Sequence, residues 1–306
     1  GVCTSAYKGS GPLEGVMKKF FEKRIEEIEN QLEENPQDPV LHKELGNLFY
    51  RTDALFLSLE EYRTALHIKP DYYEAQYNLG NVYFKLKKPW RAIIAWMEAL
   101  ILNSKLESAR FNIGFAFYHL GEYDDALLEF KRASHIRPES SDTYFYQGMC
   151  HFELNQYRNS CECYRRALEM DPDNEEILYN LGNALYEDGH YEEALEYYSL
   201  AGEHTEDCQY YNNMADCLIR LGRLDEAYEA LEKVFNLKED FTPARCTLAE
   251  LLVRQGKTQE AIIEFNRILE SSSRVTSDED RNLLHNYATN MISSLENANS
   301  HEGEKV

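Results

Sequence analysis

Side chains able to do chemistry are present, but not in working arrangements. The densest group is Cys150, His151, Cys161 and Cys163. Cys161 and Cys163 are two residues apart, and on a helix that spacing sends them to different sides, which chelates poorly. Cys150 and Cys161 suit packing positions, where a free thiol is a good filler. The nine histidines show no metal-ligand spacing. Gly9-Ser10-Gly11 is too short for a phosphate-cradling loop. The Glu-Glu and Asp-Asp pairs fall on helices as solvated faces, not as acid–base pairs in a cleft. The expectation is a protein that is not an enzyme, with no catalytic residue, metal site or cofactor.

Charge and composition narrow the partners. The formal net charge is −22, and residues 141–210 alone carry 16 acidic against 3 basic side chains. Such a surface repels phosphate backbones, so no nucleic-acid partner is expected. Seven cysteines fit no disulfide framework, which favours a reducing, cytoplasmic setting. No apolar run is long enough to span a bilayer. Gly1-Val2-Cys3-Thr4-Ser5 fits an N-myristoylation pattern, with Cys3 placed for a second acyl chain. If Gly1 is acylated, the protein would be membrane-associated.

The elements that must carry any site are set by a repeat. Gly46, Gly80, Gly114, Gly148 and Gly182 recur at steps of 34 residues, followed by Ala215 and Ala249 at steps of 33 and 34. Twelve residues after each comes a second small residue, such as Ala92, Ala126 or Ser58. Four later stands a bulky one: Tyr62, Trp96, Phe130, Tyr164, Tyr198, Leu231 and Phe265. Apolar residues within each unit recur at the helical period. Small residues at fixed points let two antiparallel helices approach, and the large residue fills the gap between them. Gly121 and Gly189 mark turns, and Pro70, Pro138 and Pro172 close units. One unit cannot bury its apolar face alone, so units must stack.

This pattern resembles the tetratricopeptide repeat family. The resemblance covers seven copies, 39–72, 73–106, 107–140, 141–174, 175–207, 208–241 and 242–275. It implies an all-α fold, a right-handed α–α superhelix or solenoid of antiparallel helix pairs. Around the seven repeats of 39–275, the expected parts are a flexible segment 1–12, capping helices at 13–36 and 278–298, and a disordered tail 299–306. The family implies a scaffold or adaptor that holds a peptide or helix of a partner protein in a concave groove lined by the first helix of each pair. Three alternatives remain: a membrane-tethered, N-acylated adaptor with lipidation at Gly1 and Cys3, a co-chaperone, and a non-catalytic subunit of an enzyme complex.

Two sets of residues are candidates for that groove. Asn78, Asn112, Asn180 and Asn213 share one point of the first helix, with Asn81 nearby, and resemble an asparagine ladder able to pair with a peptide backbone. Tyr146 breaks the row in copy four. Tyr77, Phe84, Phe111, Phe115, Tyr118, Phe145, Met149 and Phe152 form an aromatic and apolar set of the kind that marks contact sites. Lys43, Asn47 and Asn78 also match two elements of the carboxylate clamp of co-chaperones. Ser108 and Asn112 stand where that clamp needs its remaining cations.

Overall fold

The computed structural model describes residues 12–202, 207–272 and 277–303. Those residues hold sixteen helices and no strand. The chain divides into two compact units, 1–155 and 156–306. The first contains α1 (Pro12–Glu34), α2 (Pro39–Arg51), α3 (Leu55–Ile68), α4 (Tyr73–Lys85), α5 (Pro89–Leu102), α6 (Glu107–His119), α7 (Tyr123–Ile136) and α8 (Ser141–Glu153). The second contains α9 (Tyr157–Leu168), α10 (Glu175–Glu187), α11 (Tyr191–Gly202), α12 (Cys208–Arg220), α13 (Leu224–Leu237), α14 (Thr242–Arg254), α15 (Thr258–Ser272) and α16 (Asp278–Gly303). From α2 onward, helices alternate as first and second members of the repeat.

Helix starts follow local chemistry. Asp38 accepts hydrogen bonds from Val40 N at 2.8 Å and Leu41 N at 3.3 Å, and Pro39 takes the first turn of α2. Ser140, Asn174 and Asp207 cap α8, α10 and α12 in the same way. Between the two helices of a repeat, one residue adopts positive φ. Gly121, Gly189, Gly222 and Gly256 do so freely, while Asp53, Lys87 and Asn155 do so at φ 64°, 58° and 57°.

The pairs are held by a notch. A Cβ on Gly46 would lie 2.8 Å from Tyr62 Cε1, and one on Gly182 would lie 2.7 Å from Tyr198 Cε1. The large ring thus lies on the glycine backbone, and the buried alanines Ala92, Ala126 and Ala194 keep the two helices close. Ser58 Oγ donates to Gly46 O at 2.8 Å, which satisfies a buried hydroxyl in the first repeat. Within each unit, first helices of successive repeats also approach one another, as α2 does α4 and α12 does α14. They therefore form the more tightly spaced wall.

The flanking helices pack on the ends. Ile28 of α1 joins Leu45 and Leu48, and Ala288 of α16 joins Phe265 and Ile268. Met17 and Phe20, near the start of α1, are exposed. The reason is length: α1 at ~34 Å overhangs α2 at ~20 Å. At the other end, α16 continues to Gly303 instead of stopping at 298, because no proline or glycine interrupts it earlier. Gly1 and Cys3, and hence the acylation pattern, lie outside the described residues.

Candidate functional site

The asparagines form a ladder, and its rungs run within the protein. The residue after the notch glycine, Asn47, Asn81 or Asn183, is the acceptor. Asn47 Oδ1 accepts from Tyr62 Oη at 2.6 Å and from Asn78 Nδ2 at 2.9 Å. Asn81 Oδ1 accepts from Trp96 Nε1 and Asn112 Nδ2, both at 3.1 Å. Asn183 Oδ1 accepts from Tyr198 Oη at 2.7 Å and Asn213 Nδ2 at 3.3 Å. Each carboxamide therefore ties the second helix of its own repeat to the first helix of the next. Asparagine follows the notch in the three repeats whose bulky residue (Tyr62, Trp96 or Tyr198) donates to it. Where that residue is Phe130, Leu231 or Phe265, the position holds Phe115, Asp216 or Glu250.

Two rungs are chemically different. Between α6 and α8 the rung is aromatic: Phe115 meets Tyr146 edge-on at 5.3 Å, and Tyr146 stacks on Phe130 at 5.5 Å. Between α12 and α14, Asp216 interacts with Thr247, and burial, then Glu250, pushes its carboxyl up to about 6. The unfolded chain releases this proton near pH 3.8 and the folded chain near 6. Between those values the folded state binds more protons, so stability falls as pH rises. Asp216→Asn should flatten that slope and raise stability at neutral pH by about 1–3 kcal/mol. Urea unfolding of both proteins across this range measures it, and identical pH profiles would sink the assignment.

The aromatic rung opens onto a pocket of ≈ 500 Å³ lined by Phe84, Lys87, Pro89, Phe115, His119 and Leu120. Phe84 and Phe115 stand 5.8 Å apart, and Phe115 meets His119 edge-on at 4.4 Å. Burial, then Lys87, lowers the pKa of His119, so the imidazole is neutral at pH 7. Lys87 adds a cation with no ion pair among the described residues, on a left-handed backbone where four other repeats have glycine. Three rings and one ammonium suit a bulky apolar side chain beside a carboxylate.

The structure sorts the expected residues. It brings Phe84 and Phe115 together at the pocket, with Phe111 and Tyr118 around Tyr146. Phe145 is buried and presents little of its ring to a groove. It shares the register of Tyr77 and Phe111 but is only 7% exposed, because its neighbours cover it. Asn112 is 4% exposed, with its Nδ2 bonded to Tyr77 Oη and Asn81 Oδ1, so that amide nitrogen serves the fold. Asn78 and Asn213 are bonded likewise, and Asn180 donates to Glu176 O of its own helix at 2.7 Å. Lys43 lies over the Tyr72 ring at 5.5 Å, so the clamp elements Lys43, Asn47 and Asn78 all have partners inside the protein. Met149 and Phe152 are half-buried on α8. Lys87, His119 and Tyr146 were missed. The signal for Lys87 was a lysine where the turn favours glycine.

Burial raises Cys161 to about 11, Cys217 to about 12 and Cys246 to about 11, so they are neutral thiols at pH 7. Among the described residues there is no metal-binding group of His, Cys, Asp and Glu, and no helix long and apolar enough to cross a membrane.

The notch, the ladder and the positive-φ turns define a stack of helix pairs, and comparison with known proteins gives the same class. Models of the TPR repeat match residues 57–87 and 148–189, and tetratricopeptide repeat models match 175–208 and 218–273. The chain is a tetratricopeptide repeat protein, with the all-α solenoid fold of that family. A tetratricopeptide repeat protein from Parabacteroides merdae is similar, with a TM-score of 0.59 at 20% identity over 82% of this chain and 98% of that one. YrrB, a TPR protein described as having an unusual peptide-binding site, gives 0.56 at 21% identity over 60% of this chain and 95% of that one. The DnaJ homolog subfamily C member 3 of Homo sapiens is 39% identical over 62 residues, 20% of this chain. That match spans only 12% of the relative's length.

Proposed function

We propose that this protein is a non-catalytic interaction scaffold that holds a peptide or helix of a partner protein on the first-helix wall of its N-terminal unit. One observation carries the reading. At the rung between α6 and α8 the polar ladder gives way to rings, and one of them, Phe115, also lines a pocket with Phe84, His119 and Lys87. Half-buried rings that line a recess beside an unpaired cation are common anchors for polypeptides. A lysine held at φ 58° also points to use, because glycine would fit that backbone with less strain.

The ligand chemistry follows from the lining: a large apolar side chain fills the recess, and an adjacent carboxylate meets Lys87. YrrB, a structural neighbour, is described as having a peptide-binding site, which agrees with the reading at the level of fold. A peptide array probed with the full chain tests it. Bound peptides should combine a bulky apolar residue with Asp or Glu, and Phe115→Ala should weaken them at least about tenfold. Lys87→Gly should weaken them less while raising stability by up to ~1 kcal/mol. Equal binding by wild type and Phe115→Ala, with both folded by circular dichroism, would place the peptide elsewhere.

A further inference from the structure

The second helix of repeat two carries a stripe that the repeat does not require. Trp90, Ile94, Met97 and Ile101 follow at i, i+4, i+7 and i+11, one line along α5. The line is ~16 Å long. All four side chains are exposed, Trp90 at 56% and Ile101 at 82%. The same four points in α3 hold Phe56, Glu60, Arg63 and His67, and in α9 with its C-cap Arg158, Glu162, Arg165 and Glu169. Of the seven second helices, α5 alone has apolar residues at all four. Solenoid packing leaves these points to water, so the fold does not account for the stripe.

Beside the stripe lies a trough of ≈ 410 Å³. Met97 and Ile101 of α5 form one wall, Leu128 and Arg132 of α7 the other, and Ile113 and Phe117 of α6 the floor. Glu129 at its edge is held by Arg110 at 3.2 Å and also by Arg132.

Charge here runs against the rest of the chain. Residues 85–105 contain Lys85, Lys87, Lys88, Arg91 and Lys105 against the single acid Glu98, within a protein of net charge −22. Lys85 pairs with Asp53 at 2.6 Å, whereas Lys87, Lys88 and Lys105 make no ion pair among the described residues.

We propose that the α5–α7 trough is a second docking site, which takes an acidic amphipathic helix from a partner protein. A recess between two helices, floored by a third, receives the apolar ridge of another helix. A flat lipid surface cannot fill such a recess. The cations at both ends of α5 call for Asp or Glu on the α5-facing flank of the guest, away from Asp125 on the α7 wall. This surface lies between two second helices with α6 beneath, shares no lining residue with the aromatic pocket of the first-helix wall, and stands independently of it.

The test uses the full chain against a displayed library of helical peptides. Selected sequences should place apolar residues at i, i+3 or i+4, and i+7, with acidic residues on the flank that faces α5. Their binding should shift the emission of exposed Trp90 to the blue. Ile94→Glu combined with Ile101→Glu should weaken them at least about thirtyfold. Because both residues are exposed, Tm should hold. Phe115→Ala should leave these helices bound, which separates this site from the pocket. The proposal is overturned if no helix is selected, or if the selected peptides ignore the Ile94 and Ile101 changes. It is equally overturned if phosphatidylserine vesicles bind more tightly than any peptide, or if the double substitution merely dissociates a dimer of this chain.

Discussion

Gly80→Ala should destabilise the N-terminal unit by about 2–4 kcal/mol, although alanine is the better helix former by ~1 kcal/mol. The new Cβ would lie 2.5 Å from Trp96 Cδ1. Trp96 is fully buried, and its Nε1 donates to Tyr77 O and Asn81 Oδ1, both at 3.1 Å. The ring cannot swing aside without breaking both bonds, each worth ~1 kcal/mol. Against a typical total stability of ~5–15 kcal/mol, such a loss is large. Urea unfolding followed by tryptophan emission measures it. Repeat six suggests the rescue, since Ala215 and Leu231 share one core there. Adding Trp96→Leu to Gly80→Ala should therefore recover about 1–2 kcal/mol relative to additivity. A Gly80→Ala protein as stable as wild type would show that the notch does not set the helix spacing.

The second large effect is expected at the ladder. Asn47→Leu removes the shared acceptor of Tyr62 Oη and Asn78 Nδ2. Tyr62 is 1% exposed, and burial raises its phenol far above its usual pKa, so it remains a neutral donor with no water to turn to. An unsatisfied buried donor costs about 1–3 kcal/mol, so the substitution should cost about 2–4 kcal/mol in all. Asn47→Asp keeps the acceptor and should cost less than about 1 kcal/mol. In a Tyr62→Phe background, Asn47→Leu should lose much of its effect, because one of the two stranded donors is gone. If Leu and Asp prove equally harmful at position 47, packing and not hydrogen bonding holds the rung.

Much of this fold was legible in the residue spacing. Glycine or alanine at a fixed step, then Tyr62 or Trp96 sixteen residues on, is a local pattern that only close helix pairs satisfy. The asparagine row was visible as well, but its role was not. Asn78 and its acceptor Asn47 are 31 residues apart and on different helices, so neither composition nor helical period pairs them. One signal could have been read: asparagine follows the notch beside Tyr62, Trp96 and Tyr198, while Phe115 does so beside Phe130, although repeat four pairs Met149 with Tyr164. Tyr146 looked like a gap in the row, yet it is the partner of Phe115. Phe145 looked like a groove residue because its register matches Phe111. Burial, which depends on what covers a face, separated them.

The sequence by itself determined the repeat and the turn positions, because those depend on residue types at short, fixed intervals. Tertiary structure decided which polar groups were already bonded, which rings shared a pocket, and which apolar stripe stayed in water. Those outcomes depend on neighbours supplied by other repeats. A side chain's availability to a partner is what remains after such neighbours have taken their share, and no single helix encodes that remainder.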